Sequence, residues 1–439
     1  MVVVFRVMND GVAFRYTLYG ISRLGNRQIT KELTGYSLPE SSILWIPGFA
    51  YENQGKSYKS SQEGIFVKTP VKSIKTDIHA GLPGLIKVDE DNWMAITEAN
   101  LDNYPAFYLG RSKEAKEGYQ MLDTKLTPIW GEDENGVKAR FDEAANSSWR
   151  VIMIGHNPGK FIESEIIRSL NPDCALKNTE WIKPGMAAWD HWWSGEVKME
   201  QNIKQYIDLA SKEKWPYMLI DWTWYGEFNN PKADITKVAP QLNMPEIIQY
   251  ANSKNVDIWL WLRCEDANNN DQYKQAFPLY HKWGIKGVKI DFMDRDDQDM
   301  VNWYRRIIKA TAENELMLDL HGAYKPDGIE RTYPHMLTRE GVMGGEYYKF
   351  SDKMTPEHNV TLAYTRLLAG QMDYTPGGFL NVTQKQFKQQ SPTLVSNTRA
   401  AELAKFVVYE SPFMCFCEHP DNVYGQVGED FLQKVPTTW

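Results

Sequence analysis

Short apolar runs that alternate with polar residues fill the first part of the chain. VVVFRV, GVAFRYTLYG, GIFVKTP, NWMAITEA, AFYLG and SWRVIMIG are separated by Gly, Asn, Asp and Pro, residues that favour turns. Few stretches between them repeat at helical spacing. An antiparallel β-sandwich, or most of one, is expected over residues 1–180. From about residue 181 the pattern changes. GMAAWD, PYMLIDW, VDIWLWLRC, GVKIDFMD, LMLDLHG, MLTREG and QMDYTPG alternate with amphipathic segments such as QNIKQYIDLASKEKW and MVNWYRRIIKATAEN. The apolar residues of those segments recur at helical spacing. The fold class is therefore α/β: a (β/α)8 TIM barrel over 181–420, its eighth strand near FMCFCEHP. A doubly wound sheet is the alternative, but no glycine-rich phosphate loop follows any strand. Residues 421–439 are expected to begin a C-terminal β region.

Composition narrows the function. A net charge of −8 gives no electrostatic reason to expect a nucleic-acid partner, and no run reaches the roughly 20 apolar residues of a membrane span. The N-terminus lacks the basic start and long apolar centre of a signal peptide, and FLQKVPTTW ends without a closing element. Both chain ends are expected to be truncated. Cys174, Cys264, Cys415 and Cys417 match no zinc spacing and read as free thiols. The 16 Trp and 23 Tyr either fill cores or line a sugar-binding cleft. Their clustering in WDHWW (189–193) and DWTWYG (221–226) favours the cleft.

Barrel active sites collect at the C-terminal ends of the strands. Asp291 ends GVKID and is a candidate nucleophile, or else a partner of Lys289 or Arg295. Asp294, Asp296, Asp297 and Asp299 follow it and suit the solvated first turn of the next helix. Glu346 sits in GGEYY, where glycines let the backbone bend sharply. An aromatic, partly dry pocket would raise its pKa as an acid/base requires; its alternative is an ion pair with Arg339. Glu340, six positions earlier, crowds a second carboxyl into the same loop, and such oxygen sets suit calcium. His321, Asp221, Trp222, Arg263 and Glu265 also stand at strand ends, as sugar-hydroxyl partners or as packing and surface ion pairs. Two carboxyls among aromatics suit glycoside cleavage. A metal hydrolase is disfavoured by the lack of paired His ligands.

KPGMAAWDHWWSG, YMLIDWTWYG, GIKGVKIDFMDRDDQDMVNWY, LHGAYKPDGIERTYPHMLTREGVMGGEY and TRLLAGQMDYTPGGF together resemble glycoside hydrolase family 97, bacterial α-glucosidases and α-galactosidases. The resemblance covers the barrel and extends upstream through FRVMNDGVAFRY and ITEANLDNYPAFYLG. It implies a nucleophilic Asp at the end of the fourth strand, which Asp291 matches, as in the retaining branch. The inverting base would follow His321, where this chain has Gly322. Glu265 lies near another inverting-base position, within a poorly matching RCED. The resemblance further implies Glu346 as general acid/base, Glu98, Glu340 and Glu346 as Ca2+ ligands, and Asp221, Lys289 and His321 as sugar-hydroxyl partners. The expected activity is exo-acting, retaining cleavage of terminal α-galactosides or oligosaccharides, in the periplasm or outside a bacterium. An inverting α-glucosidase and a non-catalytic carbohydrate-binding protein are the alternatives.

Overall fold

A computed structural model describes residues 1–19, 27–47, 58–114, 116–190 and 199–439; residues 191–193 of the WDHWW cluster lie outside that set. The N-terminal part is built from antiparallel sheets. The larger runs Val2–Met8, Gly11–Leu18, Trp149–Gly155, Trp93–Ala99, Gly84–Lys87, Ile43–Pro47 and Phe66–Pro70 in spatial order. A smaller sheet orders Gly35–Pro39, Tyr119–Leu126 and Phe107–Arg111. All six alternating runs quoted above contain strands. Leu44, Ile86 and Ile96 of one sheet and Leu38, Leu109 and Leu122 of the other share a core. Buried Arg150 is held there by Glu32, Nε to Oε1 at 2.9 Å, with its guanidinium 4.5 Å from the Phe107 ring.

The second half contains a parallel sheet of seven strands: β1 Gly185–Trp189, β2 Tyr217–Ile220, β3 Asp257–Arg263, β4 Gly287–Asp291, β5 Met317–Leu320, β6 Met336–Arg339 and β7 Phe413–Phe416. Their order is β6-β5-β4-β3-β2-β1-β7, a barrel that is nearly closed. QMDYTPG, expected as a strand, is not one. It lies between β6 and β7, tied by Asp373 N to Arg339 O at 3.1 Å and by Cys417 N to Pro376 O at 3.2 Å. Left-handed backbone at Thr375 and Gly377, and the missing N–H of Pro376, prevent a regular ladder. Residues 421–439 also depart from expectation: they hold helical turns Pro420–Val423 and Glu429–Leu432, not β structure. Leu432 O accepts from Trp215 Nε1 at 3.1 Å and Glu429 pairs with Lys212 at 2.7 Å, which docks this segment on the barrel. All four cysteines are free. Among the described residues no helix is long and apolar enough to cross a membrane.

The loops after β4 and β5 grip the sandwich. Asp327 takes the amide of Leu101 at 2.9 Å, and Lys325 Nζ meets Glu98 Oε1 at 2.5 Å. Of the acidic run after β4, Asp297 caps helix Gln298–Glu313 by accepting from the amides of Asp299 and Met300. Asp296, expected in solvent, is instead 1% exposed. Its carboxylate accepts from Tyr108 Oη at 2.5 Å, Thr127 Oγ1 at 2.7 Å and Gln62 Nε2 at 3.0 Å. Polar partners from the sandwich replace water there.

Burial pushes the Asp296 carboxyl up to about 6. The folded state thus holds this proton more tightly than the unfolded chain. That contribution is complete below the unfolded value near 4 and is lost as pH rises through about 6. Asp296→Asn keeps the shape and removes the titration. We expect the variant to gain up to about 3 kcal/mol relative to wild type between pH 4 and 7, on a pH-independent cost of about 1 kcal/mol for altered hydrogen bonds. Denaturant unfolding of both proteins across that range checks it; a constant difference would refute the assignment.

Candidate active site

Side chains two apart on a strand point the same way. Lys289 and Asp291 therefore share a face of β4, and Asp319 and His321 share the matching face of β5 and its end. Asp291 is 9% exposed. Its Oδ2 accepts from Trp261 Nε1 at 3.0 Å and lies 3.5 Å from His321 Nδ1. Its Oδ1 accepts from the Phe292 amide at 2.7 Å. Burial alone would raise its pKa, but His321, Lys289 and Trp261 together hold it below the ordinary carboxylate value. Asp291 is ionised.

The two cations are fixed by the same acids. Burial would deprotonate His321, yet Glu340 and Asp291 raise it well above its usual value, against opposition from Lys289. Lys289 is likewise kept charged against burial, by Asp221 at 3.8 Å and then by Glu346, Asp373 and Asp319. Asp221 also accepts from Trp189 Nε1 at 2.7 Å. Beneath them Asp319 and Asp373 are buried, with His321 Nε2 3.6 Å from Asp373 Oδ2. Burial and the charge of Asp373 push Asp319 well up, against the pull of Lys289 and His321.

The loop after β6 brings Glu340 and Glu346 to the same place. Glu340 Oε2 accepts from the Gly322 amide at 2.7 Å and lies 3.1 Å from His321 Nδ1. Ligand atoms of His321, Glu340 and Glu346 all fall within 4.8 Å of one another. Half-buried Glu346 stands on the turn Gly345–Lys349, where Gly345 N donates to Tyr374 O at 2.7 Å. Any Cβ at Gly345 would collide with the Thr375 carbonyl. Gly322 is more constrained still. Its φ is +54°, and a Cβ there would lie 2.7 Å from the Phe292 amide and 2.9 Å from Asp291 Oδ1. A larger residue at 322 and an undisturbed Asp291 cannot coexist.

Residues 1–172 match the family model described as Glycosyl-hydrolase 97 N-terminal, and residues 185–342 match Glycoside hydrolase 97. The "Retaining alpha-galactosidase" of Bacteroides thetaiotaomicron is 30% identical over 464 residues, covering 99% of this chain and 68% of that protein. The chain belongs to glycoside hydrolase family 97. The "Probable retaining alpha-galactosidase" of Streptomyces bingchenggensis is 31% identical over 443 residues, 99% of this chain; the chain spans 63% of that relative's length. A family 97 enzyme from Pseudoalteromonas sp. strain K8, solved with acarbose, superposes with a TM-score of 0.84 at 28% identity, covering 100% of this chain and 69% of that one.

Set in this family 97 frame, most of the expected residues converge: Asp221, Lys289, Asp291, His321, Glu340 and Glu346. Three do not take the roles expected of them. Glu98 has its Oε1 paired with Lys325 Nζ and its Oε2 accepting from Ser148 Oγ at 2.8 Å, and so joins sandwich to barrel. Glu265 is 57% exposed at its side chain and pairs with Arg263 at 3.0 Å, so it is no buried base. Arg263 is thereby committed to Glu265, and its guanidinium lies 5.0 Å from the Phe292 ring. Trp222 stacks on Phe228 at 5.0 Å beside Asp221.

Glu63 was not anticipated. It comes from the sandwich, hydrogen-bonds Tyr347 and Ser61, and adds repulsion to Glu340. Burial, with Glu346 and Asp291 nearby, pushes it up to about 7, although Ser61 and His321 oppose the shift. Nothing in SSQEGIF marks it, because only the docking of segment 58–65 on the barrel brings it in. Asp319 could have been found from its spacing to His321, whereas Asp373 sits in a segment read as a strand.

Proposed function

We propose that this chain is an exo-acting retaining α-galactosidase in which Asp291 is the nucleophile and Glu346 the acid/base. The observation that carries the reading is an ionised, largely buried Asp291 at a barrel strand end, with Gly322 pressed against it where the inverting base would need a side chain. The two relatives carrying retaining alpha-galactosidase in their names support the galactose preference. Glu265, exposed and ion-paired, does not support the inverting alternative.

The chemistry follows from the positions. Asp291 Oδ attacks the anomeric carbon as the glycosidic C–O bond breaks, and Glu346 gives its proton to the departing oxygen. A covalent glycosyl–Asp291 ester results. Glu346 then takes a proton from water, whose oxygen attacks the same carbon and releases Asp291. Two inversions return the α-configuration, in a geometry where retaining enzymes hold the carboxyls about 5–5.5 Å apart. Trp261 and His321 keep Asp291 ionised and aimed; Lys289, Asp221 and His321 offer partners to sugar hydroxyls.

The carboxyl surplus fits a calcium ion. Glu340, Glu346 and Glu63 offer hard oxygen donors, and the raised pKa values of Glu340 and Glu63 register a repulsion that a dication would relieve. His321, a charged donor to carboxylates, is not a ligand in this arrangement. Bound calcium would supply electrostatic stabilisation of a sugar hydroxyl or the leaving-group side.

Asp291→Gly should be inactive on nitrophenyl α-galactoside, and added azide should restore turnover with β-galactosyl azide as product. Glu346→Gln should slow substrates with poor leaving groups by about 10²–10⁴-fold. Persistent activity in Asp291→Gly would defeat the nucleophile assignment. Calcium at a hundredfold excess over its Kd should stabilise the protein by about 2.7 kcal/mol, and Glu340→Gln should abolish the gain; a melting temperature indifferent to calcium would exclude the ion.

A further inference from the structure

A second cavity, of about 600 Å³, opens where the sandwich meets the loop after β4. Trp130, on the loop that follows Tyr119–Leu126, lines it and is 55% exposed. A half-exposed indole at a cavity wall offers an apolar face on which a ligand can stack. Its ring is held by the Arg295 guanidinium, 4.4 Å from the centroid, and Arg295 is itself anchored by Asp297 at 2.8 Å. On the same wall His79 is 4% exposed and stacked on Tyr58 at 4.3 Å.

The lining suits a neutral polyol. Arg295 and Lys59 face three carboxylates, Glu132, Glu134 and Asp297, and Glu132 also meets Arg140 at 3.2 Å, so no excess of positive charge selects an anion. An exposed aromatic face beside carboxylates and a guanidinium offers stacking for the C–H face of a pyranose and partners for its hydroxyls. Two of the segments that line the cavity run on in the chain to residues of the active site. Arg295 lies four residues beyond Asp291, and Tyr58 five before Glu63, spans of at most about 14 and 18 Å of chain. Ser60 N donates to Asp294 O at 2.8 Å, which ties the two segments together. An exo-acting enzyme encloses the terminal sugar, so further sugar units must extend on the leaving-group side.

We propose that the cavity walled by Trp130, His79 and Arg295 is a distal subsite that binds the leaving-group portion of an α-linked oligosaccharide. The proposal rests on the glycosidase reading above. Trp130→Ala should raise KM for an α-galactosyl trisaccharide about fivefold to tenfold with kcat unchanged, and leave nitrophenyl α-galactoside turnover within about twofold of wild type. Trp130→Phe should retain most of the trisaccharide affinity. Equal losses on both substrates, or no loss on the trisaccharide, would overturn the subsite. If wild type cleaves no α-galactoside, the activity fails while the subsite is still judged by calorimetry. There Asp291→Asn is titrated with α-galactosyl and α-glucosyl trisaccharides, with and without Trp130→Ala. Weaker binding of either sugar in the double variant supports the subsite; unchanged binding of both refutes it.

Discussion

An ionised carboxylate at a largely buried strand end is the constraint around which the rest of the site is arranged. Removing Asp291 from water costs several kcal/mol unless partners replace the solvent. The partners are a tryptophan N–H, a backbone amide, a protonated histidine and a lysine one strand-repeat away. The two cations would themselves discharge when buried, and they are held by further acids: Glu340 for His321, Asp221 and Glu346 for Lys289. Each charge is thus the reason its neighbour can be charged. The surplus of carboxyls shows in the upward shifts of Asp319 and of the crowded Glu340 and Glu63.

The sandwich is part of this device, not an appendage to it. It seats Asp296 among Tyr108, Thr127 and Gln62, and it pairs Glu98 with Lys325. These contacts fix the loops after β4 and β5 at the barrel mouth. The same docking delivers Glu63 to the acids of the barrel.

The barrel was legible because parallel strands buried on both faces leave continuous apolar runs, and Asp291, His321, Glu340 and Glu346 announced themselves where those runs stopped. Six sandwich strands were legible from alternation alone. Ile43–Pro47 and Gly84–Lys87, flanked by other apolar residues, were not. QMDYTPG looked like a strand because its composition does not reveal two left-handed residues around a proline. The roles of Glu98 and Glu63 could not be separated from sequence: both are sandwich acids, and which one reaches the barrel acids is decided by long-range docking. Glu98 instead met a lysine from the loop after β5. Gly322 carried the sharpest message, since its left-handed backbone against Asp291 turns a missing carboxyl into a steric requirement.

The proposed role of Asp291 as nucleophile requires a covalent ester on its carboxylate. Incubating the protein with a slow, fluorinated α-galactosyl substrate bearing a good leaving group, then mapping peptides by mass spectrometry, looks for that ester itself. A galactosyl adduct on Asp291, formed with a burst of leaving group, is the expected result. An adduct on another residue, or turnover of the substrate with no adduct and a β-configured first product, would contradict it.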